Sequence, residues 1–411
     1  MSGRGDQDMN AELTPAWHFR CSQCGSTYER DEVRYLCPAC AGDTPAAVPL
    51  RGVLTVELAY DTLAPQLDPR APDWSLLVPV PRRFWPNYPV GNTPLAPGDA
   101  LAATLGCGRL WLKLDGLNPS GSLKDRASFL VAAEARRLGE RRVVTASTGN
   151  AASALAAVCA AAGLEALIFA PASAPRAKLI QMLVHGATLV PVDGSYDDAF
   201  ALSIAYTRER GGLNRNTAYH PLTIEGKKTV ALEMFAQLGG RAPGAVIVPV
   251  GDGVILAGVH KGFVDLQRLG LIDALPKLIG VQAESSDAIH HFVTQGTYRP
   301  AVRPHTVADS ISVSAPSNAH LAKRAIEESR GSTLLVTDAE ILAAQRALAR
   351  TCGIFVEPAA AASVAGATKM GAQLAEDTVL LLTGHGLKDV DAAARGVELP
   401  RPVAPRLDAL P

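Results

Sequence analysis

The sequence has no long hydrophobic run. Its greasiest stretch, Ala154 to Leu164, is stopped by Glu165 and falls far short of the ~20 apolar residues that a membrane span needs. Its alanines predict a tightly packed buried helix instead. The first ten residues are polar and contain no apolar stretch of signal-peptide type. A surplus of charge is missing too: 39 lysines and arginines stand against 40 aspartates and glutamates, a formal net charge of −1. No membrane partner and no nucleic-acid partner is therefore expected. Internal repeats and low-complexity tracts are absent, and 48% hydrophobic with 19% charged residues is a globular balance that excludes disorder. Cysteine is sparse and uneven, with four of the seven between Cys21 and Cys40. A disulfide framework is not expected, and the chain reads as cytoplasmic.

What is present suggests two or three domains in 411 residues. Residues 1–16 form a polar lead, and Phe19 to Gly42 is a compact unit built on cysteine pairs. From Leu50 to Pro89 the chain is proline-rich without a sustained period, which predicts irregular structure wrapped across a larger body. After Gly91 an alternation takes over. Short apolar runs at Leu110–Leu114, Arg142–Thr145, Ala166–Ala170, Thr188–Val192, Ala245–Val250, Leu278–Gln282 and Thr378–Leu382 read as strands. Helical stretches between them include Lys124–Leu138, Ala151–Ala162, Arg176–His185, Asp197–Glu209, Gly226–Leu238 and Leu256–Leu269. Short, nearly all-apolar strands alternating with helices predict an α/β fold around a mostly parallel sheet.

Cys21-Ser-Gln-Cys24 and Cys37-Pro-Ala-Cys40 form a C-x₂-C-x₁₂-C-x₂-C pattern. Four thiolates in two close pairs complete a tetrahedral Zn²⁺ site and leave no position for a catalytic water, so the expected metal is structural. Gly25 and Gly42 give the backbone freedom to turn after each pair. With only Arg20, Arg30 and Arg34 nearby, docking onto the larger body of the chain is expected of this ribbon.

In such sheets functional loops lie beyond the strand C-termini, and four exits carry unusual residues. The first ends Asn118-Pro-Ser-Gly-Ser122-Leu-Lys124-Asp125-Arg126. Ser122 is suited to cap the following helix. Lys124 falls in the first helical turn, where the helix dipole and partial burial depress an amine's pKa, as attack on an aldehyde requires. By spacing alone, a solvated lysine at a helix start is the favoured reading. At the second exit, Ser147-Thr148-Gly149-Asn150 offers hydroxyls, an amide and free N–H groups to an anion or carboxylate; it also reads as a common N-cap. The third, Gly251-Asp252-Gly253-Val254-Ile255, allows close backbone approach by a phosphate, and its glycine spacing does not fit a dinucleotide fold. At the fourth, Thr383-Gly384-His385-Gly386, the threonine alone reads as a cap and His385 as a turn residue or a general base.

Taken in order along the chain, these segments resemble the threonine synthase branch of the fold-type II (tryptophan-synthase-β-like) pyridoxal-phosphate enzymes. The resemblance spans nearly the whole chain. It includes the cysteine pairs, Gly91-Asn-Thr-Pro-Leu95, Asn118–Arg126, Ser147–Asn150, Glu225-Gly-Lys-Lys-Thr229, Gly353-Ile-Phe-Val-Glu-Pro-Ala359 and Thr383–Asp389. It implies two open α/β domains behind the zinc ribbon. The ribbon would span 17–45, a large cofactor-binding domain 46–138 and 236–395, a small mobile domain 139–235, and a tail 396–411. It implies pyridoxal 5′-phosphate in a Schiff base with Lys124, which would also act as the acid–base shuttle. Asn150 would hold the phenolic oxygen, Gly251 to Ile255 the phosphate, and Thr383 the pyridine nitrogen. Ser147, Thr148 and Gly149 would hold the substrate carboxylate. The activity implied is conversion of O-phosphohomoserine and water to threonine and phosphate, in a homodimer.

Two positions depart from the family pattern. Val254 and Ile255 stand where glycine and asparagine are common. Thr223 stands where an arginine usually helps to hold the substrate phosphate, and a hydroxyl there removes a full charge. Lys227 is either a partial replacement or a solvated helix residue. Elimination from serine or threonine, or β-replacement on O-phosphoserine as in cysteate synthase, therefore stays open beside the leading activity.

Overall fold

The computed structural model describes residues 16–42, 48–67, 73–172, 176–398, 400 and 402–407; the polar lead up to residue 15 and, in the expected C-terminal tail, residues 399, 401 and 408–411 lie outside the described residues. Three sheets organise the chain. The largest has six strands in the order Ser332–Val336, Lys277–Ala283, Ala245–Pro249, Thr378–Leu381, Leu110–Lys113 and Leu95–Pro97. All pair in parallel except the last, an antiparallel edge on Leu110–Lys113. The second is parallel throughout, in the order Thr188–Val192, Glu165–Pro171, Arg142–Ala146 and Leu213–Asn214. All seven strands expected from apolar runs form, within a residue or two at their ends.

The runs are apolar on every position because the sheet is covered on both sides. Val246 and Val248 join one core with Leu256 and Val259 of the helix Val254–Arg268. Ala245 and Ile247, pointing the other way, join a second core with Ala360 and Val364 of the helix Pro358–Met370. Leu110–Lys113, Thr378–Leu381 and Ala245–Pro249 are neighbours, so three of the four singled-out exits open at one end of one sheet. The fourth, after Arg142–Ala146, comes from the second sheet.

The third sheet is antiparallel. Trp17–Cys21 pairs with Thr27–Tyr28 on one side and with Leu54–Leu58 on the other. The last strand corrects the expectation of irregular structure from Leu50 to Pro89. Its residues alternate between buried and half-buried, but five residues among prolines are too few to establish a period. The rest of that stretch does run irregularly over the body, in short 3₁₀ turns at Trp74–Leu77 and Arg82–Phe84.

Buried ion pairs pin the helix Lys124–Leu138 at its start. Arg126 donates from Nε and Nη2 to Asp115 at 2.8 and 2.7 Å, and from Nη1 and Nη2 to Glu233 at 2.7 and 2.8 Å. Asp125, next along, accepts from Ser120 N at 2.8 Å and Tyr88 Oη at 3.0 Å. The residue before this pair is Lys124, whose position is thereby set from two sides.

Candidate active site

A cavity of about 930 Å³ opens where the four exits meet, lined by Ser122 to Lys124, Ala146 to Ala151, Pro249 to Leu256 and Thr383. That is the size of a small-molecule or cofactor site. Residues separated by more than 250 positions thus share one wall system.

Lys124 is half-buried in this wall. Loss of hydration pushes its amine below the usual lysine range, and the Arg215 charge adds to this against the pull of Asp252 and Glu357. Among the described residues nothing bonds its Nζ. The expected cap is not there: the helix has Leu123 at its N-cap with no side-chain bond. Ser122 instead points its Oγ, buried and unpaired, at the cavity wall. The physical reason is that Leu123 N and Ser122 are tied to the Thr383–Gly384 strand exit, with Leu123 N donating to Thr383 O at 2.9 Å. A backbone locked across the sheet leaves Ser122 outside capping geometry.

Opposite, Asn150 donates from Nδ2 to both oxygens of Glu357, at 2.9 Å each. Glu357 is 4% exposed. It fills the space beside Gly384, where a Cβ would come within 2.1 Å of its Oε1; only glycine fits there. Ser147 Oγ accepts from Gly149 N at 3.1 Å, which shapes the loop before the helix Asn150–Ala162. Thr383 is buried with its side chain at the cavity. His385 accepts from Leu387 N through Nδ1 at 3.1 Å and caps a turn; the cavity lining does not include it, so the turn reading holds.

The Gly251–Ile255 loop has the form of an anion cradle. Gly253 has φ of 84° and ends the loop as the N-cap of the helix Val254–Arg268, with no side-chain cap. A Cβ there would meet Ala322 Cβ at 2.7 Å. Asp252 ties the loop to its neighbour, accepting from Ser317 N and Oγ at 3.2 and 3.1 Å. The first backbone bond on this turn is Ala257 N to Gly253 O, so the N–H groups of Val254 and Ile255 are left for a ligand. An uncapped helix start, a glycine cradle and a desolvated free amine fit a phosphorylated aldehyde.

Sequence reading misses Arg215. It follows Leu213–Asn214, a strand too short to show a period, and constitutes a fifth exit into the cavity. It is fully buried, and burial lowers its pKa to about 10. Lys227 is no solvated helix residue: it is fully buried in the same cavity wall, and burial pushes it well below the lysine range, with Lys124 and Arg215 adding to the effect. Thr223 stays out of the wall. Its Oγ1 donates to His220 O at 2.7 Å and accepts from Ala218 N at 3.2 Å, closing a turn.

The four cysteines Cys21, Cys24, Cys37 and Cys40 bring their Sγ atoms within 4.8 Å of one another. The 3.7 Å between Cys24 Sγ and Cys37 Sγ matches the edge of about 3.8 Å expected of a tetrahedron with 2.3 Å metal–sulfur bonds. The module is docked as expected. Arg30 pairs with Glu134 at 3.0 Å and Arg34 with Glu140 at 2.9 Å, while Arg20 pairs with Glu57. Residues flanking its second cysteine pair, Leu36, Ala41 and Gly42, help to line the cavity.

Comparison with known proteins agrees with this architecture. The chain is 37% identical over 413 residues to the threonine synthase of Methanosarcina acetivorans, covering 96% of this chain and 98% of that one. It is 35% identical to that of Methanocaldococcus jannaschii, covering 93% and 95%. Among solved structures, a threonine deaminase from T.th. superposes with a TM-score of 0.63 at 28% identity, covering 72% of this chain and 92% of that one. A fungal L-serine ammonia-lyase from Rhizomucor miehei shares the fold with a TM-score of 0.65 at 24% identity, covering 74% and 98%. Residues 87–384 match the family described as pyridoxal-phosphate dependent enzyme, and with all five strand exits inside that span the chain belongs to this family, in its fold-type II, threonine synthase-like branch.

Proposed function

We propose that the chain is a lyase that converts O-phosphohomoserine and water to L-threonine and phosphate. The observation that carries this reading is the desolvated, unbonded Lys124 amine in a cavity lined also by Arg215 and Lys227, in a chain whose curated relatives over almost its full length are threonine synthases. The reaction breaks the Cγ–O bond, releases phosphate, and adds the elements of water so that the hydroxyl ends on Cβ.

The bound pyridoxal phosphate would supply the electron sink that accepts negative charge from Cα. The chain's residues manage position and protons around it. Lys124 would anchor the cofactor aldehyde and, once displaced by the substrate amine, move protons as a neutral base, for which its lowered pKa suits it. Asn150 would turn its amide from Glu357 to the cofactor's phenolic oxygen. The Gly251–Ile255 N–H groups would hold the cofactor phosphate, and Ser147, Thr148 and Gly149 the substrate carboxylate. Thr383, neutral, would face the ring nitrogen without enforcing its protonation. The four cysteines would hold a structural Zn²⁺ that folds the ribbon. A reducing, cytoplasmic setting is proposed from the sparse and uneven cysteines. Among the described residues no helix is long and apolar enough to cross a membrane. A homodimer is proposed from the family resemblance, and sedimentation equilibrium checks it.

A second reading, elimination from serine or threonine or replacement on O-phosphoserine, is favoured by one observation: Thr223 contributes no charge to the cavity. A product panel separates the two. The holoenzyme is expected to release phosphate and threonine in equal amounts from O-phosphohomoserine. If only 2-oxo acids and ammonia form, or only O-phosphoserine reacts, the leading reading is wrong.

A further inference from the structure

Two of the largest fully buried side chains are cations that end at the cavity, and both carry donors with no partner. Arg215 donates from Nε to Ser128 Oγ and from Nη1 to Thr217 Oγ1, each at 3.2 Å, which fixes the guanidinium plane. Its Nη2 is buried and unbonded, and so is Lys227 Nζ. Among the described residues neither makes an ion pair. Burying one unpaired charge is already costly, and two on one cavity repel each other. Such a pair persists where an anion completes it.

We propose that Arg215 and Lys227 form a phosphate-monoester subsite for the substrate, in place of the guanidinium absent at position 223. This rests on the reading of the chain as an enzyme acting on a phosphorylated amino acid. A dianionic phosphate accepts from both free donors and neutralises both charges, and Arg215 meets it with a pre-oriented edge. The cofactor's phosphate has its own cradle of backbone N–H groups at Gly251–Ile255, on the six-stranded sheet. Arg215 belongs to the other sheet, beside the Ser147–Gly149 loop, to which it is coupled through Asn216: Asn216 Oδ1 accepts from Ala146 N at 2.7 Å. The two phosphates are therefore given separate holders, and Lys227 lines the same cavity. Its Cβ packs against Gly258, where an added Cβ would come within 2.7 Å.

The ribbon takes part in this arrangement. Tyr35 Oη accepts from Asn214 N at 2.9 Å, and its ring stacks on Tyr219 with centroids 4.6 Å apart. Both contacts hold the segment that presents Arg215.

The test uses the holoenzyme with Arg215→Met and Lys227→Met. Each is expected to raise the KM for O-phosphohomoserine about 10- to 100-fold, the loss of a charge-assisted bond, and to weaken inhibition by inorganic phosphate by the same factor. Cofactor content and visible absorbance should stay as in the wild type. Lys227→Met, nearly isosteric and relieved of a buried charge, should melt no lower than wild type without phosphate and lose the melting-point rise that phosphate produces. Arg215→Lys, which keeps the charge without the planar fork, should recover part of the affinity. Unchanged KM and phosphate inhibition would overturn the subsite, and so would loss of cofactor affinity in place of substrate affinity, because the cations would then serve the cofactor. If the wild type does not turn over O-phosphohomoserine, equilibrium dialysis of inorganic phosphate still decides. Saturable binding lost in both variants supports the subsite for another phosphorylated amino acid, and no saturable binding by the wild-type holoenzyme refutes it.

Discussion

Replacing Arg126 by Met removes the cation that holds two buried carboxylates together. Asp115 is 0% exposed at its side chain and Glu233 18%, and four hydrogen bonds of 2.7 to 2.8 Å are lost. Asp115 keeps Thr93 Oγ1, and Glu233 keeps Lys113 and Asn92 N. Breaking a buried pair from one side costs about 3–5 kcal/mol. The cost should depend on pH in a defined direction. Burial alone would raise the Glu233 pKa, but Arg126 first and then Lys113 outweigh it and hold the group at about 2 against an ordinary 4.5. In the wild type this stabilisation is present above pH 4.5 and lost as pH falls through 2. The gap of 4.5 − 2, about 2.5 units, corresponds to about 3 kcal/mol. Without Arg126 the largest lowering influence is gone, and the folded pKa should move up toward the ordinary value, with Lys113 still opposing burial. The variant then has less of this stabilisation to lose as pH falls toward 4 than the wild type has. Urea unfolding followed by far-UV circular dichroism at pH 4, 5.5 and 7 should show a deficit that is largest at pH 7 and narrows in acid. A deficit below about 1 kcal/mol at pH 7, or one constant across the range, would refute this account of the network.

Gly253→Ala places a Cβ 2.7 Å from Ala322 Cβ at a φ of 84°. It should weaken cofactor binding at least about tenfold, since the cradle must shift to relieve both the clash and the strain; full cofactor content at stoichiometric addition would contradict this. Stripping the ribbon with a chelator should release one metal ion per chain, lower the melting temperature and raise the KM for O-phosphohomoserine through the Tyr35–Asn214 contact, with the cofactor absorbance kept. An unchanged KM after complete metal loss would show that the ribbon does not support the Arg215 segment.

Several features of the site are legible in the order of residues alone. Lys124–Leu138 begins and ends where its pattern says, because a helix of 15 residues with a clear polar start and Gly139 at its end is a local property. The cysteine pairs converge because C-x₂-C geometry is also local. The resemblance joins Lys124, Asn150, Gly251 and Thr383, and the cavity brings those residues together. Ser122 misleads because its suitability as a cap follows from neighbours along the chain, while its backbone answers to Gly384 across the sheet.

Periodicity and spacing within short windows are thus enough for the α/β class, most of the strands and helices, the cysteine cluster and four of the exits. What faces the cavity from between those windows depends on how the segments pack. Glu357 enters through a close fit with Gly384, and Thr223 turns inward on its own loop. Arg215 arrives from a two-residue strand that carries no period, and Lys227 lies on a helix buried almost all round, where amphipathicity marks no face. Burial of a charge is a relation among distant segments, and so the two cations that bear on the choice of substrate become visible only once the sheets close over them.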